Sequence, residues 1–134
     1  MRSKLLTVLS ISLVCGFVAC TVSGPTNVTT WNCAESSIKG SRTYLVDFYR
    51  ESKDTTLYLI SNFHNTGFEG TDVEVKISSG KLTFNRPLPQ NIPTTSYIIK
   101  SGSGVVNKES NVISIDYVIY DGLNDIAFHV DYKR

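Results

Sequence analysis

The segment Asp72–Val73–Glu74–Val75–Lys76–Ile77 alternates without a fault. Its valines and isoleucine fall on one side of an extended chain and its charges on the other, the period of two of a half-buried strand. A helix would need apolar residues to recur at three and four, and no stretch beyond residue 29 does so. Moving outward from this segment, the same period returns seven more times. Thr30–Glu35 puts Trp31, Cys33 and Glu35 on one face. Arg42–Arg50 alternates Tyr44, Val46 and Phe48 with Thr43, Leu45 and Asp47. Thr55–Asn62 is apolar on both faces and reads as a central strand, and Lys81–Asn85 turns Leu82 and Phe84 inward. Thr95–Ser101, Asn111–Tyr120 and Asn124–Tyr132 complete the set. In the last of these Ile126, Phe128, Val130 and Tyr132 oppose Ala127, His129 and Asp131.

The connections read as turns. Ser79–Gly80 and Asp121–Gly122 are hairpin pairs, and Gly102–Ser103–Gly104 allows a bulge or a close backbone approach just past the Thr95–Ser101 strand. Pro87, Pro89 and Pro93 forbid a continuous internal ladder between residues 85 and 95. Eight strands with hairpin-length links predict an all-β fold, a single small antiparallel up-and-down β-barrel of about eight strands. Closing the sheet on itself removes its edges. An open two-sheet sandwich fits the same pattern. Closure would require ladder bonds between residues 30–35 and 124–132.

Upstream of this domain, Arg2 and Lys4 form a positive head before the apolar run Leu5–Val14. The run is shorter than the ~20 residues a membrane-spanning helix needs, and it matches the apolar core of a signal peptide. Gly16–Phe17–Val18–Ala19–Cys20 resembles a bacterial lipobox, with Phe17 standing where leucine is usual. The expectation is a lipoprotein signal peptide over 1–19, acylation of Cys20, a flexible tether over 20–29 and the barrel domain over 30–134. An ordinary signal cut near Ala19 is the alternative. Thr21 lacks the Asp that favours inner-membrane retention in lipoproteins of the enterobacterial type. The expected address is therefore the cell envelope, lipid-anchored, at the outer membrane.

Removing residues 1–19 of the 134 leaves 115, enough for one domain and too few for two. Loss of Arg2 and Lys4 takes the 13 basic residues to 11 against 12 acidic ones. A net charge near −1 without basic clusters argues against a nucleic-acid partner. With Cys15 in the signal and Cys20 acylated, Cys33 is the lone thiol, so no internal disulfide can staple the fold. A buried, inert Cys33 is expected.

Taken together, Trp31–x–Cys33–x–Glu35, Tyr44–x–Val46–x–Phe48, Ile60–Ser61–Asn62–Phe63, Gly80–Lys81–Leu82–Thr83, Gly102–Ser103–Gly104 and Ile115–Asp116–Tyr117–x–Ile119–x–Asp121–Gly122 resemble a group of small Bacteroidota lipoproteins. The resemblance runs from Trp31 to the terminal Asp131–Tyr132–Lys133–Arg134. It implies a calycin-like, lipocalin-type barrel, in a group largely without assigned function. It further implies that Trp31 on the first strand closes one end of the barrel, with Arg134 packed over its indole. Pro87–Leu88–Pro89–Gln90 looks like a proline-rich version of a segment in that group.

Chemistry-bearing motifs are few. No phosphate loop, nucleophile elbow or HExxH is present, and no Cys/His spacing suggests zinc. His64 lies close in sequence to Glu69 and Asp72, which could assemble a weak metal site, although a solvated loop histidine is the expected state. His129 and Asp131 fall on the polar outside of a strand. Asp116, Asp121 and Asp125 cluster near a hairpin without an acid–base partner. Tyr44, Tyr58, Tyr97, Tyr117 and Tyr120 would suit a small hydrophobic or glycan ligand if several faced a barrel mouth. The expectation is a non-enzymatic binding module, without metal or cofactor, for a small molecule, glycan or protein. The alternative is a structural or interaction subunit of an envelope complex with no small-molecule ligand.

Overall fold

The computed structural model describes residues 26–50 and 54–134, with the backbone alone at 26 and 27. Nine strands follow in order: β1 Thr26–Ser37, β2 Gly40–Arg50, β3 Leu57–Ser61, β4 Val73–Ser78, β5 Lys81–Phe84, β6 Gln90–Asn91, β7 Ile98–Asn107, β8 Val112–Tyr120 and β9 Asp125–Lys133. All pairings are antiparallel, in the sheet order β5-β4-β3-β2-β1-β9-β8-β7-β6. A further β5–β7 pairing, Lys81 opposite Val105 and Leu82 opposite Gly104, closes eight strands into a barrel and leaves β6 outside. No α-helix occurs among the described residues. The eight strands of the barrel correspond to the eight read from alternation. The sandwich is excluded by the β1–β9 ladder, which runs from Asn32–Lys133 to Ser37–Phe128.

Several boundaries differ from expectation. β1 begins at Thr26, inside the segment read as tether, with a register shift between Thr26 and Thr29. The remainder of the tether, the signal segment and Cys20 lie outside the described residues. β7 does not stop at Ser101 but continues through both glycines to Asn107. The β8–β9 link is a four-residue loop, in which Asp121 Oδ1 accepts from the backbone N–H of Leu123 and Asn124. Ser79 and Gly80 do form a two-residue turn, both in the left-handed region (φ 50° and 74°). The proline segment carries a cis Leu88–Pro89 bond and the two-residue β6, and it tucks Ile92 fully into the core.

Register sorts the loops between two barrel ends. The turns after β1 and β8, the β3–β4 connection and the β5–β7 segment share one end, here the mouth. The β4–β5 and β7–β8 turns, the start of β1 and the end of β9 lie at the other end. Toward that far end the interior is filled by its own side chains. Phe48 contacts Trp31 and Tyr132 at ring-centroid distances of 5.6 and 5.3 Å. Trp31 Nε1 and Tyr132 Oη are sealed there without a partner among the described residues. Trp31 is half-buried. Arg134 lies one residue beyond the last paired residue and is exposed, with no ladder to hold it. Among the described residues the cation–π pairs are Arg42–Tyr44, Arg50–Tyr58 and Lys100–Tyr120, none of them Trp31–Arg134.

The glycines of β7 act through close approach. A Cβ on Gly104 would sit 2.6 Å from the Ser114 carbonyl oxygen and 3.3 Å from Leu82 Cβ, at the closing seam. A Cβ on Gly102 would lie 2.5 Å from the Phe84 ring. Gly104→Ala should therefore push β7 off β8 and β5 and destabilise the barrel by about 1–3 kcal/mol. Urea denaturation checks this, with Ser103→Ala, on the exposed face between the two glycines, expected to change little.

Candidate functional site

Strand alternation that turns Cys33 inward turns Glu35 inward too. Its carboxylate is 1 % exposed, a position that costs several kcal/mol unless every lone pair is met. The neighbours meet them. Arg42 Nε donates to Oε1 at 2.5 Å, Tyr44 Oη donates to Oε2 at 2.7 Å, and Tyr117 Oη makes a short bond to the same Oε2. His64 Nδ1 stands 3.2 Å from Oε2 and 2.9 Å from Tyr117 Oη.

Glu35 stands on β1, and its partners come from β2, β8 and the 3₁₀ turn Phe63–Asn65. Arg42 and Glu35 are directly opposed across the β1–β2 ladder, and Cys33 is opposite Tyr44. The turn holds three left-handed non-glycine residues, Asn62, His64 and Asn65 (φ 60°, 57° and 55°). Such backbone costs on the order of 1–3 kcal/mol per residue and persists only where the surroundings enforce it. The buried Asn62 side chain enforces it, with Nδ2 donating to the Leu45 carbonyl and Oδ1 accepting from Gly67 N–H, both at 2.7 Å. Phe63 is fully buried against Phe84 and Tyr117. His64 is packed among Tyr97, Tyr117 and Phe128 at 5.2, 5.9 and 4.6 Å.

The proton positions follow from the partners. Burial alone would raise the Glu35 pKa, but the hydrogen bonds from His64, Tyr117, Arg42 and Tyr44 outweigh it and hold it down to about 2. Burial pushes the Tyr44 and Tyr117 phenols well above their ordinary range, so both stay protonated and donate. An ionised carboxylate only accepts and a guanidinium only donates. His64 Nδ1 lies within reach of three groups, 3.2 Å from Glu35 Oε2, 2.9 Å from Tyr117 Oη and 3.1 Å from Arg42 Nη2, and Arg42 Nη2 also donates to the His64 carbonyl at 2.9 Å.

Above this cluster lies an open cavity of about 270 Å³ at the mouth. Arg42, His64 and Glu35 form its polar floor, and Tyr97, Ile119, Ile126 and Phe128 its apolar wall. Lys39, from the β1–β2 turn, spans to Asp121 of the β8–β9 loop at 2.8 Å and forms the rim. The Lys39 ammonium, with the Asn124 and Leu123 N–H groups, holds the Asp121 carboxyl well below its usual range.

Of the candidates read from sequence, His64 is the one the structure overturns. It is 6 % exposed rather than solvated, and it turns to Glu35 rather than toward Glu69 or Asp72. Asp72 receives the Tyr49 hydroxyl and Glu69 is exposed. No group of three or more His, Cys, Asp or Glu side chains among the described residues could hold a metal ion. His129 is on the outside as expected, 2.7 Å from Asp116, whose carboxylate raises its pKa against a small opposing effect of burial. Asp125 is exposed. Of the five tyrosines, Tyr44 and Tyr117 reach the cluster and Tyr97 lines the cavity, whereas Tyr58 and Tyr120 lie against Arg50 and Lys100. Arg42 and Lys39 were not singled out by sequence. The signal for Arg42 was present, because a carboxylate on an inward face needs a cation and Arg42 starts the next strand. Comparison with protein-family models, curated proteins and solved structures found no match.

Two outcomes follow. Glu35 has a folded pKa below the ordinary 4.5, so its contribution is complete above about pH 4.5 and is lost as the pH falls toward about 2. Wild-type stability should drop by about 3 kcal/mol across that window. Glu35→Gln should cost about 3 kcal/mol at neutral pH by removing the charge to which Arg42, Tyr44 and Tyr117 donate, and should flatten the acid limb of the urea-midpoint profile. Cys33 is 1 % exposed and burial pushes its thiol up to about 12. A maleimide should label it only at the rate of unfolding, and labelling within the mixing time would show the strand face to be open.

Proposed function

We propose that this chain is a lipid-anchored, non-enzymatic β-barrel of the cell envelope that binds a small molecule at its mouth. The observation that carries the reading is the cavity above Glu35–Arg42–His64. A buried charge cluster held by four elements is preorganised, which lowers the cost of ordering a site on binding. The volume is at the small end of ligand pockets, and the mixture of aromatic wall and convergent polar groups is what such pockets use. Because β1 starts at the far end, a tether from Cys20 would leave the mouth facing away from an outer-membrane bilayer. Acyl chains contribute about 0.8 kcal/mol per buried methylene, so several hold a domain of this size firmly.

A second reading has its own observation. Ile38, Leu123 and Phe68 are 91, 85 and 48 % exposed on three loops of the mouth end, as in a surface that docks a protein partner. This is the interaction-subunit alternative, in which the barrel carries no small ligand.

The two parts are tested separately. Cys20→Ser should move the protein from the detergent phase to the aqueous phase, and unchanged partition would remove the anchor. A fragment library screened by ¹H–¹⁵N NMR on the full chain in detergent should shift amides of residues 39–42, 97 and 126–128. Fragments that shift none of these, together with a partner lost on Ile38→Ser and Leu123→Ser, would favour docking over ligand binding.

A further inference from the structure

We infer that the mouth cavity reads a single carboxylate on a small apolar body, with Arg42 as the residue that receives it; this rests on the binding reading above. The two ion pairs that line the cavity are balanced in number but not in exposure. Arg42 pairs with Glu35 and Lys39 with Asp121, yet the cations are 42 and 58 % exposed while their carboxylates are 1 and 20 % exposed. A molecule entering the cavity therefore meets the positive ends of both pairs first. Glu35 cannot repel it at contact, because its oxygens are turned into the protein and occupied by Arg42, Tyr44, Tyr117 and His64.

Arg42 is also held with donors to spare. Nε is committed to Glu35 and Nη2 to the carbonyl and the ring Nδ1 of His64, and Nη1 makes no hydrogen bond among the described residues. The guanidinium is fixed from one side by ionic and backbone bonds and from another by the Tyr44 ring, 5.4 Å from its Cζ. An oxyanion at Nη1 then gains a charge-assisted bond without paying for side-chain ordering. Desolvation beside Phe128, Tyr97, Ile119 and Ile126 strengthens that bond and gives the rest of the ligand an apolar wall.

The same features select among anions. A polyphosphate or sulfated chain needs several free cations in reach, whereas Lys39 is already engaged by Asp121 at 2.8 Å. Free inorganic phosphate would leave the apolar wall uncovered. The cavity of about 270 Å³ corresponds to roughly nine waters at ~30 Å³ each, which suits one ring or a short chain carrying one carboxylate.

The test uses benzoate, its neutral isostere benzamide and inorganic phosphate as probes on the full chain in detergent, read by ¹H–¹⁵N NMR. Benzoate should bind at least tenfold more tightly than benzamide, shifting the Arg42 Nε–H signal and the amides of residues 39–42 and 126–128. Arg42→Gln should lower benzoate affinity at least tenfold while leaving benzamide unchanged. Because Arg42→Gln strands Glu35, Glu35→Gln/Arg42→Gln serves as the second variant, and it should show the same loss. Equal binding of benzoate and benzamide at these residues would overturn the carboxylate inference and leave the binding site standing. Phosphate matching benzoate would overturn the requirement for an apolar body. No probe shifting these residues would overturn both the inference and the binding reading.

Discussion

A carboxylate placed on the inner face of a small barrel is the constraint on which the mouth is built. Glu35 is covalently bound to face inward once Trp31 and Cys33 do, because side chains two apart on a strand share a side. An unpaired charge there would cost several kcal/mol, a large part of the margin by which a domain is stable. The chain meets it by bringing Arg42 and Tyr44 from β2, Tyr117 from β8 and His64 from the turn after β3 to a single pair of oxygens. Satisfying one residue thus ties together segments up to 82 positions apart. Buried pairs of this kind contribute little net stability compared with an apolar core of equal volume. Their effect is to specify one arrangement, and the arrangement specified is that of the cavity floor.

The two halves of the barrel solve different problems. Toward the far end, Phe48, Tyr132 and Trp31 fill the interior, and the chain accepts two unpartnered polar atoms there in exchange for aromatic bulk. Near the middle, closure depends on absent side chains. β5 contributes only four residues to the sheet and meets β7 through two residue pairs, so the backbones must come close. Gly104 permits that at the seam, and Gly102 makes room for Phe84, whose ring then supports Phe63 beneath the turn. Packing in the closed section therefore holds the turn that carries His64.

Alternation made the eight barrel strands legible, and the inward face where apolar and polar residues alternate, since register along a half-buried strand is fixed by which residues avoid water. It also made the first-to-last pairing legible, because a closed sheet leaves no other neighbour for β1. The turn at Asn62–Asn65 was not legible. Asn and His tolerate the left-handed region better than most residues, but tolerance alone does not select it; the selection comes with Asn62 bonding to Leu45 on β2 and to Gly67 beyond the turn. The full length of β7 was hidden for a similar reason, as Gly102 and Gly104 look like a break until the partner strands that crowd them are known. Glu35 lay between these cases. Its inward face was readable, as was its need for a partner, but Tyr117 and His64 as those partners depended on tertiary placement.

The strain in the turn and the buried charge explain each other. Three left-handed residues at on the order of 1–3 kcal/mol each are a large cost for a domain of this size. A right-handed path through Asn62–Asn65 would relieve it, but would carry the His64 ring away from Glu35 and its carbonyl away from Arg42 Nη2. Arg42 would then keep its bond to Glu35 and the Tyr44 ring beside it, but would lose the bonds that fix Nη2. With the turn as it is, the His64 carbonyl and ring act as a second wall for Arg42, and the cation is held in place at the cavity it lines. Strain stored in the backbone is thereby converted into a fixed donor at the mouth, which is the arrangement expected where the rigidity of one side chain matters more than the stability of one loop.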